Sequence, residues 1–297
     1  MKKIKAVWEL MRLEHGVMIA IAILIGSLIA LKGESFPPLD NFVLTFFTAL
    51  FLEASTFALN DYYDLEIDKK NKRKDRPLVR GDIQPRSALY LFFIFFPLGL
   101  LCSYFVNLTC FIIAIITAFL AILYDAKIKK IKLVGNFYIA YVMAIPFIFG
   151  GAAVIIDDSA ILDIDASIYI IALIAFLAGS GREIMKDVMD FTGDKAAGVR
   201  SFPRYIGERA SNVIAAIFFI SAIVLSFIPF FLRGFELYFL NYTYLGLVFI
   251  TDTMLLSTSF QLILKKKPQL KILRKFSLFA ILIGLLAFLI GIFLPIK

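Results

Sequence analysis

The segment NFVLTFFTALFLEASTFALNDYYDLEID, residues 41–68, begins as an apolar run and ends in aspartates with the spacing D-x-x-D-x-x-x-D. The same spacing recurs 126 residues later in DVMDFTGD at 187–194, again at the end of an apolar run. Intervals of three and four residues place the carboxylates of each cluster on one face of a helix. Clustered carboxylates repel one another unless a cation neutralises them, and oxygen ligands on facing helices suit Mg²⁺ together with substrate phosphates. The two segments therefore predict a helical, metal-dependent diphosphate enzyme.

The composition indicates that this chemistry takes place in a membrane. Of the 297 residues, 61% are hydrophobic, whereas soluble domains contain roughly 45–50% apolar residues. The mean hydropathy is +0.87. Such a chain is predicted to be an all-α, multi-pass membrane protein, because apolar runs of about 20 residues span a bilayer as helices. Nine such runs lie near 16–31, 41–60, 87–105, 107–124, 134–156, 167–185, 211–232, 238–263 and 273–294.

Basic residues are divided unequally between the two sides of the membrane. All but three of the 31 Lys and Arg residues lie in five segments that nine spans place on one side. These segments are 1–15, 66–86, 127–132, 182–209 and 265–275, and the remaining residues are Lys32, Arg233 and Lys297. The positive-inside rule then predicts a cell-membrane protein with a cytoplasmic N-terminus, an outer C-terminus and both acidic clusters at the cytoplasmic face. The net charge of +8 is explained by this topology and by attraction to membrane lipids, so it predicts no nucleic-acid partner.

A basic loop follows each acidic cluster. The first is KKNKRKDRPLVRG at 69–81, and the second contains Lys195 and Arg200. Arg and Lys neutralise phosphate oxygens, although the positive-inside rule alone accounts for most of these cations. Arg76 and Arg200 are the better candidates for binding a diphosphate, because each follows its cluster closely and lies near a proline that stiffens the turn.

Ionisable residues also occur within the apolar spans. Glu53 shares a helical stripe with Asp64, and Glu183 stands four residues before Asp187. Such groups are expensive in a membrane and usually face a polar cavity or a partner. Asp252, deep in the eighth span, either belongs to such a site or forms a hydrogen bond with a neighbouring helix.

The end of the fourth span combines Tyr124 with Lys127 and Lys129. A phenol and two ammonium groups at this position can reach a diphosphate from its flank, or Tyr124 can anchor the span at the membrane interface. The single histidine, His15, cannot by itself form a histidine metal site or a Ser-His-Asp relay.

Five motifs occur in order along the chain: N-D-x-x-D-x-x-x-D at 60–68, D-R-P-L at 75–78, Tyr124 before a basic loop, Gly135-Asn136, and the second cluster followed by Gly198-Val199-Arg200. Together they resemble the UbiA superfamily of intramembrane prenyltransferases. The resemblance implies one domain over 1–297, with nine transmembrane helices around a central cavity that opens at the cytoplasmic face. It also implies Mg²⁺ as the cofactor and a prenyl diphosphate as the donor substrate.

The candidate site residues form four sets. The expected catalytic residues are Asp64, Asp68 and Asp190, with Asp64 as the candidate base. The expected metal ligands are Asn60, Asp61, Asp64, Asp68, Asp187, Asp190 and Asp194. The expected diphosphate-binding residues are Arg73, Arg76, Tyr124, Lys127, Lys129, Lys186 and Arg200. The expected acceptor-binding residues are Arg12, His15 and Glu53.

Two segments, GREIMKDVMDFTGDKAAGVRSFP at 181–203 and MRLEHG at 11–16, are similar to the archaeal branch that makes digeranylgeranylglyceryl phosphate, an ether-lipid precursor. This similarity implies a geranylgeranyl donor and a phosphorylated prenylglycerol acceptor. The family's Y-x-x-x-K pattern is not matched strictly, because Ile128 holds the fourth position after Tyr124.

Several alternatives stay open at this point. The acceptor of a UbiA-type enzyme can instead be an aromatic acid, a quinone precursor or a porphyrin. A CDP-alcohol phosphotransferase also uses membrane aspartates and Mg²⁺, but its two acidic blocks lie in one contiguous stretch. A transporter is less favoured, because its sites lie near the midplane of the membrane rather than at the ends of spans.

Overall fold

The computed structural model describes residues 2–70, 73–155, 164–196 and 198–296, and within these ranges the chain forms α-helices and no β-strand. The α-helices are α1 (Lys2–Met11), α2 (Gly16–Ala30), α3 (Leu39–Lys70), α4 (Pro77–Arg80), α5 (Pro85–Val106), α6 (Leu108–Ala126), α7 (Lys132–Ala152), α8 (Ala166–Ala196), α9 (Phe202–Ser226), α10 (Ile228–Phe231), α11 (Tyr242–Leu264) and α12 (Leu270–Phe293). The all-α prediction is confirmed.

The number of membrane spans agrees with the expectation of nine when one bent pair is counted. The described residues contain eight helices that are long and apolar enough to cross a membrane. The ninth span consists of α1 and α2, which are bent by 45° at residues 12–15. The expected span 134–156 corresponds to α7, and its last residue lies outside the described ranges. The chain is therefore a multi-pass membrane protein.

The two helices that carry the acidic clusters are longer than a membrane requires. Helix α3 has 32 residues and α8 has 31, which corresponds to about 48 Å at the helical rise of 1.5 Å per residue. The hydrocarbon layer of a bilayer is about 30 Å thick. The last turns of both helices, which contain the aspartates, therefore extend to the polar boundary of the membrane.

Helices α2 and α7 pack with their backbones in close contact. A Cβ atom added to Gly26 would lie 2.0 Å from the carbonyl oxygen of Phe147, and one added to Gly150 would lie 2.1 Å from that of Ile23. The hydroxyl of Ser27 donates a hydrogen bond of 2.8 Å to the carbonyl oxygen of Gly150. Small residues at such crossings allow membrane helices to associate through van der Waals contact.

The substitution Gly150→Ala is expected to destabilise the protein strongly, because the added methyl group would press on rigid backbone rather than on a movable side chain. Overpacking of this kind costs about 1–3 kcal/mol or more. The control is Gly246→Ala in α11, where an added Cβ meets nothing within 4 Å. The thermal unfolding midpoint of the two variants in detergent checks the expectation, and equal midpoints would contradict the close α2–α7 contact.

Candidate active site

A cavity of about 1510 Å³ lies between the helices and reaches the loops that follow α3 and α8. Its polar end is lined by Asp64 and Asp190, one from each acidic cluster, and by Arg76 of the loop. Its interior is apolar and includes Ile171 and Leu285. The central cavity that the family resemblance implied is therefore present, with charged groups at one end and an apolar interior.

The first aspartate of each cluster is buried, and the second faces the cavity. Asp61 is only 2% exposed and accepts hydrogen bonds from Arg76 Nη1 at 2.7 Å and from Arg12 Nη2 at 3.2 Å. It does not line the cavity. Asp64, one turn later, does line the cavity and is paired with Lys129. Two arginines therefore surround the carboxylate of Asp61 outside the cavity wall, and its metal role stays a prediction.

The third aspartate of the first cluster, Asp68, also lies behind the cavity wall. Its carboxylate is 3.6 Å from Arg76 Nε and 3.9 Å from Arg73 Nη1. Burial raises the pKa of Asp68, whereas the two arginines act in the opposite direction. Arg73 also hydrogen-bonds Asp75 and thereby lowers the pKa of that carboxyl to about 2. Asp68 thus helps to hold Arg73 and Arg76 at the cavity. Its expected metal role stays a prediction.

The second cluster repeats this arrangement on α8. Asp187 is 1% exposed, accepts a hydrogen bond of 2.7 Å from Asn136 Nδ2 and lies 3.4 Å from Lys132 Nζ. It does not line the cavity, and its metal role stays a prediction. Asp190 and Asp194 line the cavity, and Lys132 Nζ donates to Asp194 at 2.7 Å. Each cluster therefore buries its first carboxylate and offers its second to the cavity, and the second cluster also offers its third.

The remaining expected residues divide between the cavity wall and the outer surface. Lys127 ends α6, is exposed and does not line the cavity. Arg200 is also exposed and outside the cavity wall, while its backbone pairs with Ile131. The chain turns through a 3-10 helix after Lys127, so Lys129 rather than Lys127 reaches the cavity. The expected residues that do line the cavity here are Arg12, His15, Glu53, Asn60, Arg73, Arg76, Tyr124, Lys129 and Lys186.

The UbiA prenyltransferase family model matches residues 19–282, which include both acidic clusters and almost every span. The chain belongs to the UbiA prenyltransferase family. It is 42% identical to digeranylgeranylglyceryl phosphate synthase of Archaeoglobus fulgidus, over 98% of this chain and 96% of the relative. It is 31% identical to the enzyme of the same name from Methanosarcina mazei, over 97% of this chain and 99% of the relative.

Solved structures support the same family membership. A structure described as giving insights into digeranylgeranylglyceryl phosphate synthase in membranes has a TM-score of 0.79 and 34% identity, and the alignment covers 98% of this chain and 99% of that one. A UbiA homologue from Archaeoglobus fulgidus, solved with DMAPP and Mg²⁺, has a TM-score of 0.59 and 16% identity, with 97% and 99% coverage. At that identity the second structure supports the fold alone.

This UbiA-family site contains polar residues that the sequence reasoning missed. Asp125 is 5% exposed, lines the cavity and accepts a hydrogen bond of 2.5 Å from Asn60 Nδ2. Lys132, Arg182 and Arg274 also line the cavity. Asp125 was recognisable as a carboxylate within an apolar span. The positive-inside rule alone accounts for the three cations, since nothing in their spacing separates them from the other basic residues of the same segments.

Asp252 forms a hydrogen bond with a neighbouring helix, which is one of the two possibilities that its position in the sequence left open. Ser226 Oγ of α9 donates to Asp252 Oδ2 of α11 at 2.7 Å. Both residues also line the cavity at its apolar end. The two interpretations are therefore compatible.

The carboxylates at the polar end suit Mg²⁺ when substrate supplies the other ligands. No group of three or more His, Cys, Asp or Glu residues in the described ranges lies close enough to hold a metal ion by itself. Mg²⁺ commonly takes only one or two carboxylates and completes its shell with water and substrate phosphates. Asp64 and Asp190 face the cavity from different helices, and Asp194 and Asn60 line it beside them. This donor set fits such an ion.

Proposed function

We propose that the chain transfers a geranylgeranyl group from its diphosphate to geranylgeranylglyceryl phosphate, giving digeranylgeranylglyceryl phosphate for archaeal ether-lipid synthesis. The observation that carries the proposal is the pair of cavity-facing carboxylates, Asp64 and Asp190, at the charged end of a cavity whose interior is apolar. The relatives that cover nearly the whole chain and bear the name of this enzyme support the choice of substrates.

The donor diphosphate is assigned to the polar end of the cavity. Asn60, Asp64, Asp190 and Asp194 would hold Mg²⁺, which when bound withdraws charge from a diphosphate leaving group. Arg73, Arg76, Lys129, Lys186 and Tyr124 line the same end and supply donors to the remaining phosphate oxygens.

The reaction exchanges one carbon–oxygen bond for another. The bond between the allylic carbon and the diphosphate breaks, and the acceptor hydroxyl forms the new ether bond. Asp64 is the proposed recipient of the hydroxyl proton, since it is the cavity-facing carboxylate of α3. The apolar interior, with residues such as Ile171 and Leu285, encloses the prenyl chain and keeps water from the allylic cation.

We also propose that the single domain 1–297 lies in the cell membrane with its N-terminus in the cytoplasm and its C-terminus outside. The asymmetry of basic residues supports this orientation. The charged end of the cavity then faces the cytoplasm, where phosphorylated substrates are present.

The test is a transfer assay with purified protein in lipid nanodiscs, geranylgeranyl diphosphate, geranylgeranylglyceryl phosphate and Mg²⁺. We expect formation of the ether product with equimolar release of diphosphate, and loss of both when EDTA removes the metal. Parallel reactions contain an aromatic acid as the acceptor. Transfer only to the aromatic acceptor would overturn the lipid assignment, and folded protein that releases no diphosphate from any prenyl donor would overturn the transferase assignment.

A further inference from the structure

A second group of cations lines the cavity on the wall formed by α8 and α12. It consists of Arg182 and Lys186 on α8 and Arg274 on α12, and none of these belongs to the loops after the acidic clusters. Arg182 and Lys186 continue the four-residue spacing of Asp190 and Asp194 toward the apolar interior. They therefore lie on the same face of α8 as those aspartates but deeper in the cavity.

This group, unlike the other cations of the cavity, carries an excess of positive charge. Among the described residues, Arg182 and Lys186 share the carboxylate of Glu183, with Arg182 Nη1 at 3.1 Å from one oxygen and Lys186 Nζ at 3.0 Å from the other. Arg274 has no side-chain hydrogen bond or ion pair with any described residue. Three cations and one carboxylate leave a net charge of about +2 on a wall that borders the membrane interior, where unpaired charge is costly.

One hydrogen-bond donor of this group, on Arg182, lacks a partner within the described residues. Arg182 Nε is buried and has no hydrogen-bond partner among the described residues. Buried polar atoms are nearly always hydrogen-bonded in proteins. A guanidinium with an unused donor beside a second arginine suits a phosphate, which accepts paired hydrogen bonds from the planar fork of Arg.

We propose that Arg182 and Arg274 bind the phosphate of the acceptor, with Lys186 between that phosphate and the diphosphate of the donor. This inference rests on the proposed function, because it names the site at which the phosphorylated acceptor of that reaction is held. It places the acceptor's phosphate on the α8–α12 wall, on the inner side of the aspartates.

The spacing along α8 suits the reaction. Arg182 precedes Asp190 by eight residues, which is about 12 Å along a helix. The reacting carbon and the hydroxyl oxygen must approach to about 3–3.5 Å, with the diphosphate a few bonds away on one side and the acceptor's phosphate a few bonds away on the other. The two anions can then bind at separate places while the reacting atoms meet between them.

The wall formed by α3 and the bend between α1 and α2, which the sequence favoured for the acceptor, has its charges balanced. Arg12 pairs with the buried Asp61 and lies 4.1 Å over the ring of Phe57. His15 Nδ1 is 3.4 Å from the carboxylate of Glu53. A phosphate at this wall would have to compete with carboxylates for both cations, whereas the α8–α12 wall already has an excess of cations.

The experiment measures equilibrium binding of two ligands to purified protein in nanodiscs, in EDTA and without a prenyl donor, so that no turnover is needed. One ligand is geranylgeranylglyceryl phosphate, and the other is the same prenylglycerol without its phosphate. Arg182→Gln and Arg274→Gln are each expected to weaken binding of the phosphorylated ligand by about tenfold or more, the usual effect of losing a charged hydrogen-bond donor. Binding of the unphosphorylated ligand is expected to stay unchanged.

The matched control is Lys275→Gln, which removes an exposed cation next to Arg274 that does not line the cavity. It is expected to bind both ligands as the unaltered protein does. The variants Arg182→Lys and Arg274→Lys keep the positive charge and are expected to bind the phosphorylated ligand better than the glutamine variants do. Such a difference would show that the glutamine variants lose binding through the lost charge rather than through misfolding. Unchanged binding of the phosphorylated ligand, or equal loss of both ligands, in folded Arg182→Gln and Arg274→Gln would overturn the proposal. An unaltered protein that binds the two ligands equally well would also overturn it.

The same measurements separate this site from the proposed function. Phosphate-dependent binding that requires Arg182 and Arg274, in protein that transfers no prenyl group, would support the site and reject the proposed reaction. Transfer to the phosphorylated acceptor with unaltered binding in both glutamine variants would support the reaction and reject the site.

Discussion

The substitution Asp64→Asn is expected to lower kcat for prenyl transfer by about a thousandfold, the order observed when one preorganised electrostatic contact to a transition state is lost. Asp64 is the first-cluster aspartate that lines the cavity, so its loss removes a proposed metal ligand and the proposed proton acceptor together. Asparagine has nearly the same size, and the surrounding helix should therefore stay in place. Initial rates of ether formation at saturating Mg²⁺ and substrates check this result.

The matched control for Asp64 is Glu66→Gln on the same helix. Glu66 is exposed and does not line the cavity, so its loss is expected to change the rate by less than about twofold, in keeping with the small effects of most surface substitutions. A variant Asp190→Asn is expected to resemble Asp64→Asn, and the double variant should lose little more than either single one, because residues that act as a unit are not additive. An Asp64→Asn enzyme that keeps a tenth of its activity or more would contradict the role of Asp64.

The sequence predicted the helical membrane fold well, because each span is long and mostly apolar. The exception is the N-terminal span, expected at 16–31. Helix α2 ends at Ala30 after only 15 residues, and the rest of the span comes from α1 across a 45° bend. Arg12 lies in this bend with a left-handed φ of 50°, which a non-glycine residue adopts only when its surroundings hold it there. No apolar pattern encodes such a bend, and the contact that Arg12 makes there is with Asp61, 49 residues away in the sequence.

The sequence also identified both acidic clusters, but not which carboxylates of each cluster are buried and which line the cavity. Helical spacing places Asp61, Asp64 and Asp68 near one face of α3. Only part of that face borders the cavity, and of the three carboxylates only Asp64 lines it. Which carboxylate is buried depends on partners distant in sequence, such as Arg12 for Asp61 and Asn136 for Asp187. Spacing within one helix contains no information about these partners.

The substitution Asp61→Asn tests, through stability rather than activity, whether the buried carboxylate of the first cluster has a structural role. Asp61 is buried between Arg12 and Arg76, and removal of one member of a buried ion pair commonly costs about 3–5 kcal/mol. We expect a loss of about 2–3 kcal/mol here, because the two arginines remain partly exposed to solvent and keep some hydration. The thermal unfolding midpoint in detergent, measured without Mg²⁺ or substrate, should therefore fall clearly.

Two further variants, Asp75→Asn and Asp64→Asn, serve as comparisons for Asp61→Asn. Asp75→Asn removes an exposed carboxylate that pairs with Arg73, and it is expected to change stability by no more than about 0.5 kcal/mol. Asp64→Asn removes a carboxylate that borders the cavity and pairs with Lys129. It should lower the midpoint less than Asp61→Asn does, because Asp64 is more exposed than Asp61. An Asp61→Asn protein with an unaltered midpoint and a raised Mg²⁺ requirement would show that Asp61 is a metal ligand after all. A midpoint that falls further in Asp61→Asn than in the two comparison variants would show that its carboxylate fixes α3 and the arginine loop, leaving Asp64 to face the substrate.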